Sequence, residues 1–138
     1  MGAIDVWAQI TTERMAKRPW LQTLMRWTGR EDGILESIDS TLREMDAAGV
    51  DIALLSAWVG PEGELISNEE VSAQIDAAPT RFRGLASVDL QQPMSAVRDI
   101  RRWVDGKRFV GVRVVPWLWD LPPNDRRYYP VYAACVEA

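Results

Sequence analysis

Hydrophobic positions along the chain switch repeatedly between two periods. Ala3 to Trp7 reads as a short extended run. After a mixed polar stretch, Trp20, Leu21, Leu24, Met25 and Trp27 fall at helical spacing, and Pro19 suits the first turn of that helix. Gly29 and Gly33 punctuate. Ile34, Leu35, Ile38, Leu42 and Met45 repeat at i, i+3 and i+4, which predicts an amphipathic helix ended by Gly49. Val50 to Ala57 is almost continuously apolar, as in a strand buried on both faces. Gly60, Pro61 and Gly63 predict a loop. Ser67 with Glu70 three residues on has the form of a capping box, and Val71 and Ile75 give its helix an apolar stripe before Pro79. Arg83 to Val88 is the next predicted strand, and Asp89 to Gln92 a turn. Pro93 opens a helix with Val97, Ile100 and Val104 inward, ended by Gly106. Phe109 to Val115 is a β-branched strand stopped by Pro116. A loop with Trp117, Trp119, Pro122 and Pro123 follows, and Tyr128 to Ala138 is again helical.

The order is strand then helix, repeated about four times, with an extra helix inserted near the N-terminus; such alternation predicts a parallel sheet with right-handed crossovers. The last helix reaches Ala138 without a Gly, Asn or Pro stop signal. A complete (β/α)8 barrel needs about 250 residues, so a small open sheet and about half of a TIM barrel, truncated at the C-terminus, both remain. The abrupt end favours the half barrel. Residues 1–138 are expected to be one incomplete domain with no internal linker.

Composition narrows the chemistry. The 138 residues carry a formal charge of -4, which argues against a nucleic-acid footprint. Histidine is absent, which excludes Ser-His and Cys-His nucleophile pairs from these residues. Cys135 is the single cysteine, so no internal disulfide forms. A metal held by these residues alone would need oxygen ligands, as Mg²⁺ and Ca²⁺ prefer. The N-terminus shows no secretory signal, and Val6 breaks the myristoylation pattern that Gly2 begins. No run approaches the length of a membrane span. A cytoplasmic location is expected, with no membrane partner.

In parallel α/β folds the site lies at the carboxyl ends of the strands. Those ends carry Trp7 and Gln9, Ser56 and Trp58, Asp89, and Arg113 with Trp117 and Trp119. Four of the seven tryptophans thus gather there, to line an aromatic pocket or to plug a barrel mouth as packing. Arg113 either binds a substrate carboxylate bidentately or pairs with Asp89 or Asp5. Asp5 reads as a general base, a hard-metal ligand, or a buried structural carboxylate. Asp89 suits a turn, and Glu69 and Glu70 suit a helix N-terminus. The basic run Arg98, Arg101, Arg102, Lys107 and Arg108 is interleaved with Asp99 and Asp105, so it reads as a solvated face. Arg126 and Arg127 beside Tyr128 and Tyr129 read as a surface loop. No phosphate-binding glycine motif is present.

Several segments together resemble the amidohydrolase-related family. Ile4-Asp5-Val6-Trp7-Ala8-Gln9-Ile10 resembles its first strand, which normally reads I-D-x-H-x-H. Met45 to Asp51 is similar to its first helix and second-strand entry, and Arg83 to Asp89 to its third strand. Gly111 to Val114 and Tyr129 to Cys135 are similar to its fourth strand and following helix. The resemblance implies a metal-dependent TIM barrel. Its members hydrolyse C–N or C–O bonds or decarboxylate small acids, as aminocarboxymuconate-semialdehyde and resorcylate decarboxylases do, with a divalent metal, typically zinc. Here the two first-strand ligand positions carry Trp7 and Gln9. Indole has no lone pair for a metal, and an amide oxygen is a poor zinc ligand. The implied protein is a hydrolase or carboxy-lyase for a small organic acid or amide, with an altered metal site. Its substrate-binding residues would be Trp7, Gln9, Trp58, Arg113 and Trp117, with catalytic groups on later strands. The alternative is a barrel that binds a small molecule without turnover. Half a barrel exposes strand edges, which invites association; a homo-oligomer is expected of the full-length protein.

Overall fold

The computed structural model describes residues 2–30 and 35–138. Four strands form one parallel sheet: β1 (Ala3–Ala8), β2 (Val50–Ser56), β5 (Phe82–Ala86) and β6 (Phe109–Val112), in the order β1-β2-β5-β6. Between β1 and β2 come α1 (Glu13–Ala16), α2 (Pro19–Thr28) and α3 (Ile38–Ala48). After β2 a small antiparallel hairpin, β3 (Trp58–Gly60) and β4 (Gly63–Ile66), precedes α4 (Asn68–Ala77). Helix α5 (Pro93–Trp103) joins β5 to β6. The chain then makes α6 (Pro116–Trp119), a 3₁₀ turn (Arg126–Tyr128) and α7 (Tyr129–Glu137). This is the expected alternation, and it forms about half of a TIM barrel.

Local chemistry sets most of the element ends. Helix α2 starts with Pro19 and stops at Gly29, whose φ of 68° is left-handed. Ser67 accepts the Glu70 N–H while Glu70 reaches back to the Ser67 N–H at 2.8 Å, completing the anticipated capping box. Helix α3 begins later than the periodicity predicts. Ser37 and Ser40 form a second capping box there, so Leu35 precedes the helix and is exposed. The helical assignment of Ile34, and the punctuation by Gly33, lie outside the described residues.

Two strand boundaries and the burial of one strand also differ. β5 ends at Ala86 because the Ser87 N–H donates to Asn68 Oδ1 at 2.9 Å instead of continuing the ladder. Asn68 Nδ2 returns a bond to the Ser87 carbonyl, and the Ser87 hydroxyl accepts the Val59 N–H. β6 ends at Val112, because Val115 already caps α6 ahead of Pro116. The predicted loop at Trp117 and Trp119 is therefore a one-turn helix. β2 is not buried on both faces. Ala53 and Leu55 are buried with α4 residues Val71 and Ile75, whereas the alternate residues Ile52 and Leu54 are only half-buried on the opposite face.

The main core lies between the sheet and helices α3 and α4, around Leu55, Val71, Ile75, Phe82 and Phe109. A second cluster gathers Val59, Val88, Leu90, Ile100, Trp119, Tyr128 and Val131 between α5 and α7. β1 is the sheet edge, and its Ile4, Val6 and Trp7 are each more than half exposed.

Candidate functional site

The carboxyl ends of β1, β2 and β6 converge on one side chain. Arg113 follows β6, and its backbone N–H donates to the Ala86 carbonyl at 2.8 Å, which holds it beside β5. From there the guanidinium spans the sheet. Nη2 donates to the Val6 carbonyl at 2.6 Å and Nη1 to the Ser56 hydroxyl. Its carbon lies 4.3 Å from the centre of the Trp7 ring, over the indole face. Such a cation–π contact contributes about 0.5–2 kcal/mol, more as it is desolvated. Neither sequence-level pairing occurs among the described residues: Arg113 makes no ion pair with Asp5 or Asp89. Burial pulls its pKa below the ordinary arginine value while the nearby Asp5 carboxylate pushes it up. A guanidinium so placed stays charged at neutral pH. Its protein partners are neutral oxygens, so its charge remains uncompensated by direct contact among the described residues.

Beside Arg113 a trough of about 420 Å³ runs along β6, the last strand in the sheet. Trp7, Val112 to Val115, Pro116 and Trp117 form one wall; Pro123, Tyr128, Val131, Tyr132 and Cys135 form the other. The second wall was not anticipated, although Tyr128, Val131, Tyr132 and Cys135 recur at i, i+3, i+4 and i+7 and so share a helix face. Burial pushes the Cys135 thiol pKa up, so it is no activated nucleophile.

The remaining candidates divide. Trp58 is buried and stacks on Trp20 at 6.0 Å, and Trp117 packs edge-on against Trp20 at 5.0 Å. Trp58 thus lies within an aromatic trio beneath Trp117 and does not line the trough. Its Nε1 has no hydrogen-bond partner among the described residues. Trp119 belongs to the α5–α7 core. Gln9 opens with Trp7 onto a separate cavity of about 340 Å³ beside α3. The Gln9 Oε1 is buried without a hydrogen-bond partner among the described residues. Asp5 accepts the Trp7 N–H at 2.8 Å and is exposed, a correction to its expected burial. Asp89 closes its turn through the Gln91 N–H as anticipated. Glu70 pairs with Arg14, Glu69 with Arg102, and Arg127 with Asp125, all at the surface.

The profile of the amidohydrolase family matches residues 4–138. The chain belongs to that family. Among its curated relatives is gamma-resorcylate decarboxylase of Polaromonas sp., 30% identical, aligned over 77% of this chain and 35% of its own length. The gamma-resorcylate decarboxylase of Rhodococcus jostii is 28% identical over 78% of this chain and 39% of its own. Among solved structures, 5-carboxyvanillate decarboxylase of Novosphingobium aromaticivorans, complexed with manganese and 4-hydroxy-3-methoxy-5-nitrobenzoic acid, superposes with a TM-score of 0.73. It is 19% identical over 98% of this chain and 47% of that one. A TIM-barrel protein of Bordetella bronchiseptica matches with a TM-score of 0.69 at 21% identity, over 99% of this chain and 52% of its own. The chain therefore spans between about a third and a half of the family members it matches.

The residues present do not fit the divalent metal that membership implies. Trp7 offers a metal only an indole face, and that face lies under the Arg113 cation. Gln9 lines the other cavity, and its Oε1 is buried. Among the described residues no group of three or more His, Cys, Asp or Glu is placed to hold an ion. No described helix is long and apolar enough to cross a membrane.

Proposed function

We propose that this chain is the N-terminal half of a barrel enzyme of the amidohydrolase family, a carboxy-lyase or hydrolase whose substrates are small aromatic carboxylic acids or their amides. One observation carries the reading: the Arg113 guanidinium is held across the strand ends by two neutral oxygens, between an exposed indole and an aromatic trough. It anchors the anionic group of a planar ring lying against Trp7 and Trp117, with Trp58 supporting Trp117 from beneath. Charge-assisted bonds to a carboxylate are about twice as strong as neutral ones, and the half-buried position strengthens them further.

The rest of the barrel is proposed to follow this segment. A fifth strand beside β6 would enter the trough and narrow it, leaving Trp7, Arg113 and Trp117 at its mouth. Strands beyond it would cover the exposed residues of β1 and supply the proton-transfer groups. In a decarboxylation the bond from ring carbon to carboxyl carbon breaks, carbon dioxide leaves, and a proton takes its place. The curated relatives are named for such a reaction on gamma-resorcylate. A homo-oligomer is part of the same proposal.

A second reading, ligand binding without turnover, is favoured by the indole and amide at the first-strand ligand positions. Purified protein from the complete open reading frame, incubated with 2,6-dihydroxybenzoate and a panel of aryl carboxylates and amides, separates the two by chromatography and calorimetry. Turnover with release of carbon dioxide or an amine supports the enzyme. Binding without product supports the second reading. Neither binding nor turnover across the panel refutes both.

A further inference from the structure

We propose that the Arg113 guanidinium is the resident cation of this site, standing where the family places a divalent metal, so that an aryl carboxylate binds here without metal. The inference rests on the aromatic-acid reading above and concerns what holds the anion. Trp7 sits at the first of the two first-strand positions that carry metal-binding imidazoles elsewhere in the family. The guanidinium caps its ring at 4.3 Å. An ion bound against the Trp7 ring would meet a fixed positive charge and no lone pair from the indole. The second position, Gln9, lines with Trp7 the cavity beside α3 and not the trough, and its Oε1 is buried, so it offers the trough no ligand.

The cation is built in, not incidental. Three strands hold it: β5 through the Ala86 carbonyl, β1 through the Val6 carbonyl, and β2 through the Ser56 hydroxyl. Val6 and Arg113 are 107 positions apart, so this arrangement exists only in the folded sheet. Both oxygens accept from the guanidinium without neutralising it. The group keeps donors directed away from them, and a planar fork of donors matches a carboxylate better than a point charge does.

The test uses the complete open reading frame, dialysed against EDTA. Binding of 2,6-dihydroxybenzoate is followed by indole fluorescence and calorimetry, in EDTA and again with excess MnCl2 or ZnCl2. The affinities are expected to agree within about twofold with and without metal, while Arg113→Gln weakens both by about tenfold or more, as loss of a charge-assisted bond requires. Arg113→Lys retains the charge and should fall between; it also serves if the glutamine variant folds poorly. The comparison with and without metal needs no variant at all. Affinity that appears only with Mn²⁺ or Zn²⁺, or an Arg113→Gln protein that binds as well as wild type, overturns the inference and leaves the aromatic-acid reading standing. Absence of binding under every condition overturns both.

Discussion

Gly84 separates the two things that a glycine in a strand can mean. Its backbone is ordinary strand, unlike the left-handed Gly29, Gly49, Gly63 and Gly106. Its role is space. A Cβ added there would lie 2.6 Å from Phe109 Cδ1, 2.7 Å from Phe109 Cε1 and 3.0 Å from Ile75 Cδ1. Phe109 and Ile75 are each about 1% exposed, so neither has room to retreat. Overpacking of this kind costs about 1–3 kcal/mol. Alanine returns about 0.4–1 kcal/mol by restricting the unfolded chain. Gly84→Ala should therefore lose about 1–2 kcal/mol net, a fall in Tm of about 3–10 °C for a chain of this size. Thermal melts read by circular dichroism measure it. Phe109→Leu should cost less in the Gly84→Ala background than alone, because the leucine relieves the clash. The strain also reaches the site. Gly84 lies two residues before Ala86, whose carbonyl holds the Arg113 N–H at 2.8 Å, so β6 pushed outward carries Arg113 with it. An alanine variant that melts at or above wild type would refute the close β5–β6 spacing and, with it, the placement of Arg113.

Two further outcomes probe the capping box of α4. Ser67→Ala removes the acceptor for the Glu70 N–H and should cost about 1 kcal/mol in chemical denaturation while leaving ligand affinity unchanged. Burial alone would raise the Glu70 pKa, but bonds from the Ser67 backbone, Arg14 and the Ser67 hydroxyl outweigh it and set the value below the ordinary 4.5. A lowered carboxyl pKa adds stability that is full above the unfolded value and is lost as pH falls through the folded one. The stability gap between wild type and Glu70→Gln should accordingly narrow from pH 6 towards pH 3, seen in denaturant midpoints; a gap that widens there contradicts the assignment.

The residues that end elements are read from the chain because their chemistry is local. Gly29 and Gly49 terminate α2 and α3 through left-handed backbone, Pro19 and Pro93 open α2 and α5, and Ser67 with Glu70 caps α4 within four residues of one another. The alternation of strand and helix followed from such signals, and with it the parallel sheet. Polar partners moved two boundaries: Asn68 took the Ser87 N–H from β5, and Ser37 with Ser40 delayed α3. The hairpin at Trp58 to Ile66 escaped notice because its strands are short and its turn reads simply as a loop.

The site divides along the same line. That Trp7, Gln9, Trp58, Arg113 and Trp117 gather near strand ends is a consequence of strand order and can be inferred from the sequence. Which of them touch is not, because side chains so far apart in sequence meet only through the register of neighbouring strands and the twist of the sheet. Those decided that Arg113 lies over Trp7, that Ser56 and the Val6 carbonyl hold it, and that Trp58 sinks beneath Trp117 while Gln9 lines a cavity beside α3 outside the trough. The missing imidazoles are a fact of composition. The cation that stands beside their replacements is a fact of tertiary structure, since only the assembled four-stranded sheet brings Arg113, after β6, within reach of β1.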